Sequence, residues 1–135
     1  MAAVDLLPGA EADLSALRTS DPAAFATVVV FLQEAEADEE LIDKCTTPGN
    51  TAIGSHRVNV RAWVVARAAS MNLFRFRVLD TPATVYRIVY GYDWRTRRIG
   101  ILAVVHKDHF DYGLSSDLAN RIQDDWDRAT DGRVT

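Results

Sequence analysis

From Leu73 onward, apolar and charged side chains alternate with a period of two. Phe74, Phe76 and Val78 interleave with Arg75 and Arg77; past the turn-forming Asp80-Thr-Pro-Ala-Thr84, Tyr86, Ile88, Tyr90 and Tyr92 interleave with Val85, Arg87 and Val89. Successive strand residues point to opposite faces, so the pattern predicts two half-buried antiparallel strands. The turn Asp93-Trp-Arg-Thr-Arg97 leads into Arg98-Ile-Gly-Ile-Leu-Ala-Val-Val105, which is apolar on both sides and is expected at the centre of the sheet. Upstream the spacing is helical. Leu14, Leu17, Phe25, Val28, Val29 and Leu32 fall on one stripe, broken at Ser20-Asp-Pro22, where Ser20 or Asp21 can cap and Pro22 suits a first helical position. Two helices, over about 9–18 and 22–35, follow from this. Val4 to Leu7 reads as a short first strand, and Pro8 opens the first helix.

The middle of the chain is less regular. A short helical piece covers Leu41 and Ile42, and Thr46-Thr-Pro-Gly-Asn-Thr51 is a turn-rich loop. Asn59 can then cap a helix with Val60, Trp63, Val64, Ala68 and Met71 on one face, leaving Arg61 and Arg67 outward. A strand from Arg57 to Val65 is the rival, because β-branched residues are frequent there. Ser115 or Ser116 opens a last helix carrying Leu118, Ile122 and Trp126 on one stripe. Helices, then a meander of strands, then a helix define an α+β domain over 1–135, with the N-terminal helices on one face of a small antiparallel sheet and a C-terminal helix.

Composition adds limits. With 48% hydrophobic and 25% charged residues in a chain of 135, one ordinary globular core is affordable without staples. The apolar run Ala26 to Leu32 is far too short to span a membrane, and no basic segment leads into an apolar one at the start, so a cytoplasmic protein without membrane partners is expected. Cys45 is the single cysteine, which excludes an intrachain disulfide and any cysteine-based metal motif. The net charge of −4 conceals a division: residues 1–55 hold ten acidic and two basic side chains, 56–107 two acidic and ten basic, and 108–135 seven acidic and three basic. Phosphate attraction is felt locally, over about 8–10 Å at physiological salt, so the middle segment alone favours a polyanion.

Strand alternation concentrates that charge. If helices cover the face carrying Phe74, Phe76, Ile88 and Tyr90, then Arg75, Arg77 and Arg87 share the opposite one. Arg98 and His106 are an even eight residues apart, so a regular third strand adds both to that face. Solvated surface arginines are the plain alternative, and Tyr86, Tyr90 and Tyr92 read as core or sheet-edge residues rather than base-stacking platforms. A metal site built on His106-x-x-His109 with Asp108 or Asp111 is disfavoured by strand-to-loop geometry.

The ordered set Phe74-Arg-Phe-Arg77, Val85-Tyr-Arg-Ile-Val-Tyr90 and Ile99-Gly-Ile-Leu-Ala-Val-Val-His-Lys107, with Tyr112 beyond, resembles the RelE/ParE superfamily of type II toxin-antitoxin toxins. The similarity covers about residues 74–112, with 46–72 as an apparent insertion. It implies a ribosome-dependent mRNA endonuclease using neither metal nor cofactor, in which the RNA 2′-hydroxyl attacks the neighbouring phosphate. The implied catalytic residues are Arg87 for transition-state charge, His106 for proton transfer and Tyr112 for orienting or stacking on a base. Arg75, Arg77, Arg98 and Lys107 are the implied RNA contacts, with His109 a further candidate. Arginine does not release its proton, so proton transfer falls to His106. The implied partners are a cognate antitoxin, the ribosome and mRNA, with DNA reached only through the antitoxin. Two other readings stay open: a ParE-like gyrase inhibitor that cleaves nothing, and a binding module for an acidic peptide.

Overall fold

A computed structural model of the protein describes residues 3–130. They form a six-stranded mixed sheet with five α-helices. The strands β1 (Ala3–Leu6), β2 (Gly49–Ile53), β3 (His56–Ala62), β4 (Leu73–Val78), β5 (Tyr86–Asp93) and β6 (Arg98–His106) lie in the order β1-β6-β5-β4-β3-β2. All neighbours are antiparallel except β1, which runs parallel to β6. That parallel pair departs from the antiparallel sheet expected. The chain leaves β1 through the paired helices α1 (Pro8–Ser20) and α2 (Pro22–Ala37) and re-enters the sheet at β2 on the opposite edge, so no hairpin joins β1 to β6 and none obliges the pair to run antiparallel.

Local chemistry sets these elements. Asp21 caps α2 by accepting the Ala24 N–H at 3.2 Å, with Pro22 in the first turn, and Ser116 caps α5 (Asp117–Ala129) through the Ala119 N–H at 3.0 Å. Leu7 offers no side-chain cap to α1, so the Gly9 N–H donates instead to Asp125 of α5 at 3.0 Å.

Two apolar layers hold the sheet. On one face Leu14, Leu17, Val28 and Phe31 of α1 and α2, with Leu41 and Cys45 of α3 (Leu41–Thr46), pack on Val58, Val60, Phe74, Phe76, Ile88, Tyr90, Ile99 and Ile101. Phe31 meets Phe76 edge-on at 5.1 Å, Phe76 stacks on Tyr90 at 4.1 Å, and the Tyr90 hydroxyl donates to the Cys45 carbonyl. The other face was expected to be open. It carries a second layer in which Ala119, Ile122 and Trp126 of α5, Ala66 of α4 (Val64–Ala68), Trp63 and Phe110 cover Leu73, Val89, Leu102 and Ala103. The helix that Asn59 was expected to cap does not form over 59–62: His56–Ala62 is a strand, because Val58 and Val60 face the first core while Arg57, Asn59 and Arg61 alternate with them, and helix is confined to Val64–Ala68.

Cys45 is fully buried, and that burial pushes its thiol up to about 12. A thiol reagent at pH 8 is therefore expected to label it only as the chain opens, with labelling following the urea transition; modification of the native chain at the rate of a free cysteine would contradict this.

Candidate functional site

The second face concentrates the arginines at the β3–β4–β5 side of α5. Arg75 stands opposite Arg61 on β3 and Val89 on β5, Arg77 opposite Asn59, and Arg87 opposite Val105. Arg77 Nε and Arg87 Nη1 both donate to the Thr84 carbonyl, at 3.3 and 3.1 Å, which joins them at the turn between β4 and β5. Arg87 and Arg61 both lie near enough to Arg75 to repel its charge. Among the described residues none of these four arginines makes an ion pair with a carboxylate.

Arg75 is the centre of the strip and is only 4% exposed. Its Nη1 donates to the Asn59 side-chain oxygen at 3.0 Å, while Nε is buried with no partner. Burial is the main force lowering its proton affinity below that of an ordinary arginine; the hydroxyl of Tyr112 opposes this, and Arg87 and Arg61 add to it. The group nonetheless stays charged, since arginine does not deprotonate in proteins. A buried, uncompensated guanidinium is unfavourable until an anion arrives.

Tyr112 reaches Arg75 because the chain after β6 folds back over the sheet. Phe110 enters the second core edge-on to Trp63, at 5.1 Å, and the Trp63 indole N–H donates to the Tyr112 carbonyl at 2.6 Å. The Tyr112 phenol, 43% exposed, then lies near enough to Arg75 to act on its charge.

His106 does not join this cluster. Leu102 is an extra residue in β6: Val89 pairs with Ala103, but Tyr90 pairs with Ile101. Such a bulge reverses the facing of everything beyond it, which is why Leu102 and Ala103 both lie in the second core while Ile101 and Val104 lie in the first. The even spacing of Arg98 and His106 therefore puts them on opposite sides. His106 stands opposite Tyr86, whose ring it meets edge-on at 5.5 Å, and lines a cleft with His109, Asp13, Leu17 and Ser20 beside α1. Its Nδ1 accepts the Asp108 N–H at 3.1 Å. Arg98, at the far end of β6, is held bidentately by Asp5 at 2.7 Å for both bonds and ties β1 to the sheet. Lys107 and His109 are exposed in a short 3-10 turn after β6. Among the described residues no group of three or more His, Cys, Asp or Glu side chains is placed to hold a metal ion.

Of the residues singled out in the sequence, Arg75, Arg77, Arg87 and Tyr112 are brought together, and Arg98, His106, Lys107 and His109 are not. Arg61, Asn59 and Trp63 complete the site from the segment 46–72. Comparison of the chain with family models, with curated proteins and with solved structures finds no match.

Proposed function

We propose that the protein is a toxin of the RelE/ParE kind that stops translation by cutting ribosome-bound mRNA, with the scissile phosphate held on the Arg61, Arg75, Arg77 and Arg87 strip. The observation that carries this reading is the buried Arg75, uncompensated by any carboxylate, with Arg61, Arg77 and Arg87 on the same face and an exposed phenol beside it. A guanidinium carries a planar fork of donors that matches phosphate oxygens, and the donors not spent on Asn59 and Thr84 are the ones this reading assigns to the phosphate. In the reaction the 2′-hydroxyl gives its proton to solvent water and attacks phosphorus, the bond to the 5′-oxygen breaks, and that oxygen takes a proton from Tyr112, leaving a cyclic phosphate and a 5′-hydroxyl. The strip stabilises the charge gathering on the pentavalent phosphorus. Tyr112, an exposed phenol beside Arg75, is the group we assign to pass a proton to the leaving oxygen. A cytoplasmic location and a cognate antitoxin belong to the same reading.

The test is cleavage of mRNA on programmed ribosomes. Arg87→Ala is expected to reduce the rate by about a hundredfold or more, as loss of a preorganised charge does. His106→Ala is expected to reduce it less than about tenfold, since a group on the other side of the bulge is not the general base; a fall of about 10²–10⁴ would show that it is. The separation of His106 from the arginines favours one alternative, a non-cleaving ParE-like inhibitor. Intact mRNA together with collapse of gyrase supercoiling would establish that alternative.

A further inference from the structure

The sheet ends on two open edges, β1 and β2, and β2 lacks the devices that usually keep an edge from pairing. Gly49–Ile53 contains no charged residue and no proline, and it pairs with β3 residue for residue, without a bulge. Gly49, Asn50 and Ala52 are exposed and Thr51 is half-buried. The direction of the backbone groups along this edge follows from the neighbouring strand. Arg57 turns its carbonyl to β4, where it accepts the Leu79 N–H at 2.8 Å, so it makes no ladder bond with Ala52 opposite. Ala52, and by alternation Asn50, therefore turn both N–H and C=O outward from the sheet.

We propose that β2 pairs with the β2 strand of a second copy of this chain, antiparallel about a two-fold axis at Thr51. Asn50 then meets the second copy's Ala52, and Ala52 its Asn50, which gives every outward N–H and C=O of the two residues a partner. The pattern is its own complement, and that selects a second copy over an unrelated strand. Thr51 faces its own copy on the side of the first core, since its neighbour on β3 is Val58, and a Thr–Thr pair is favourable there. The same construction at the other edge fails. The Leu7 N–H bonds to Ile101 of β6, so Val4 and Leu6 turn outward, and an axis at Asp5 would set two Asp5 carboxylates, with the Arg98 side chains bound to them, against each other. Joining the β2 edges merges two six-stranded sheets and keeps both arginine strips on one face, with the two β4 strands about 24 Å apart. The pairing does not rest on the RNA reading, but it doubles the strip offered to any long polyanion.

The experiment is sedimentation equilibrium of the full chain over a wide range of concentration. A pair of short strands makes an interface of the transient class, below roughly 1,200 Å², so a monomer–dimer equilibrium that shifts with dilution is expected. Ala52→Pro removes an N–H that the monomer does not use, at an edge position where proline is tolerated. It is expected to raise the dimer dissociation constant about tenfold or more and to leave the urea midpoint of the monomer little changed. Thr51→Cys is expected to form an intermolecular disulfide in air well before Ala52→Cys does. Facing residues approach to about 4.5 Å between Cα atoms, whereas the two copies of residue 52 stand about 7–8 Å apart on the diagonal. Cys45 is fully buried and stays out of this comparison. A chain that remains monomeric at every concentration overturns the pairing, and so does a dimer that Ala52→Pro leaves intact. Should Ala52→Pro unfold the chain, the two cysteine variants decide alone, and equal cross-linking of both overturns the pairing.

Discussion

Arg75→Met is expected to leave the protein at least as stable as before while lowering mRNA cleavage by about a hundredfold or more. The two effects share one cause. The native guanidinium is 4% exposed, faces Arg61 and Arg87 without a carboxylate, and leaves Nε without a partner. Replacing a costly buried ionic group by an apolar side chain of similar volume is commonly neutral or stabilising by about 1–4 kcal/mol. Asn59 loses a donor in the exchange, but its amide also donates to Asn50 at 2.8 Å near solvent, so little is left stranded. Urea unfolding and ribosome cleavage measured on the same preparation check both halves. A loss of more than about 2 kcal/mol would mean that Arg75 is a structural strut and would remove the main support for an anion site.

Gly91→Val is expected to cost about 3 kcal/mol or more of folding stability, the upper range for forcing volume into a packed core. Gly91 and Gly100 face each other across β5 and β6, and the Trp126 indole lies over the gap they leave. A Cβ on Gly91 would stand 2.6 Å from the ring, and one on Gly100 3.2 Å from it. Trp126 is 3% exposed, so the ring has nowhere to retreat. Pairing the change with Trp126→Leu should restore part of the loss, because the two side chains share the same space. Chemical denaturation of the two single variants and the double variant measures this; an unaltered midpoint for Gly91→Val would show that α5 is not docked there.

The alternation of Phe74, Phe76 and Val78 with Arg75 and Arg77, and of Ile88 and Tyr90 with Arg87, made both faces of β4 and β5 legible, because one buried face forces a period of two. Ser20-Asp-Pro22 marked the break between α1 and α2 through its cap. The bulge at Leu102 was not legible: an uninterrupted apolar run such as Ile99 to Val105 looks the same with or without an extra residue. That hid the facing of His106. The covering of Arg75 was hidden too, since it depends on Trp63 meeting Tyr112, 49 residues away. Asn59 and Arg61 were ambiguous because Val58, Val60 and Trp63 fit helix and strand spacing about equally, and only the pairing with β4 decides between them.

The parallel pairing of β1 with β6 has a consequence for biosynthesis. The first strand finds its only neighbour when Ile101 has left the ribosome, and Arg98 reaches Asp5 across 93 residues of chain. Until then β5 is an unprotected border, and loop closure over such a distance delays assembly. The arginine strip is thus completed late, after the phenol beyond β6 has also emerged, so a partially made chain carries the charges of the site without its finished shape.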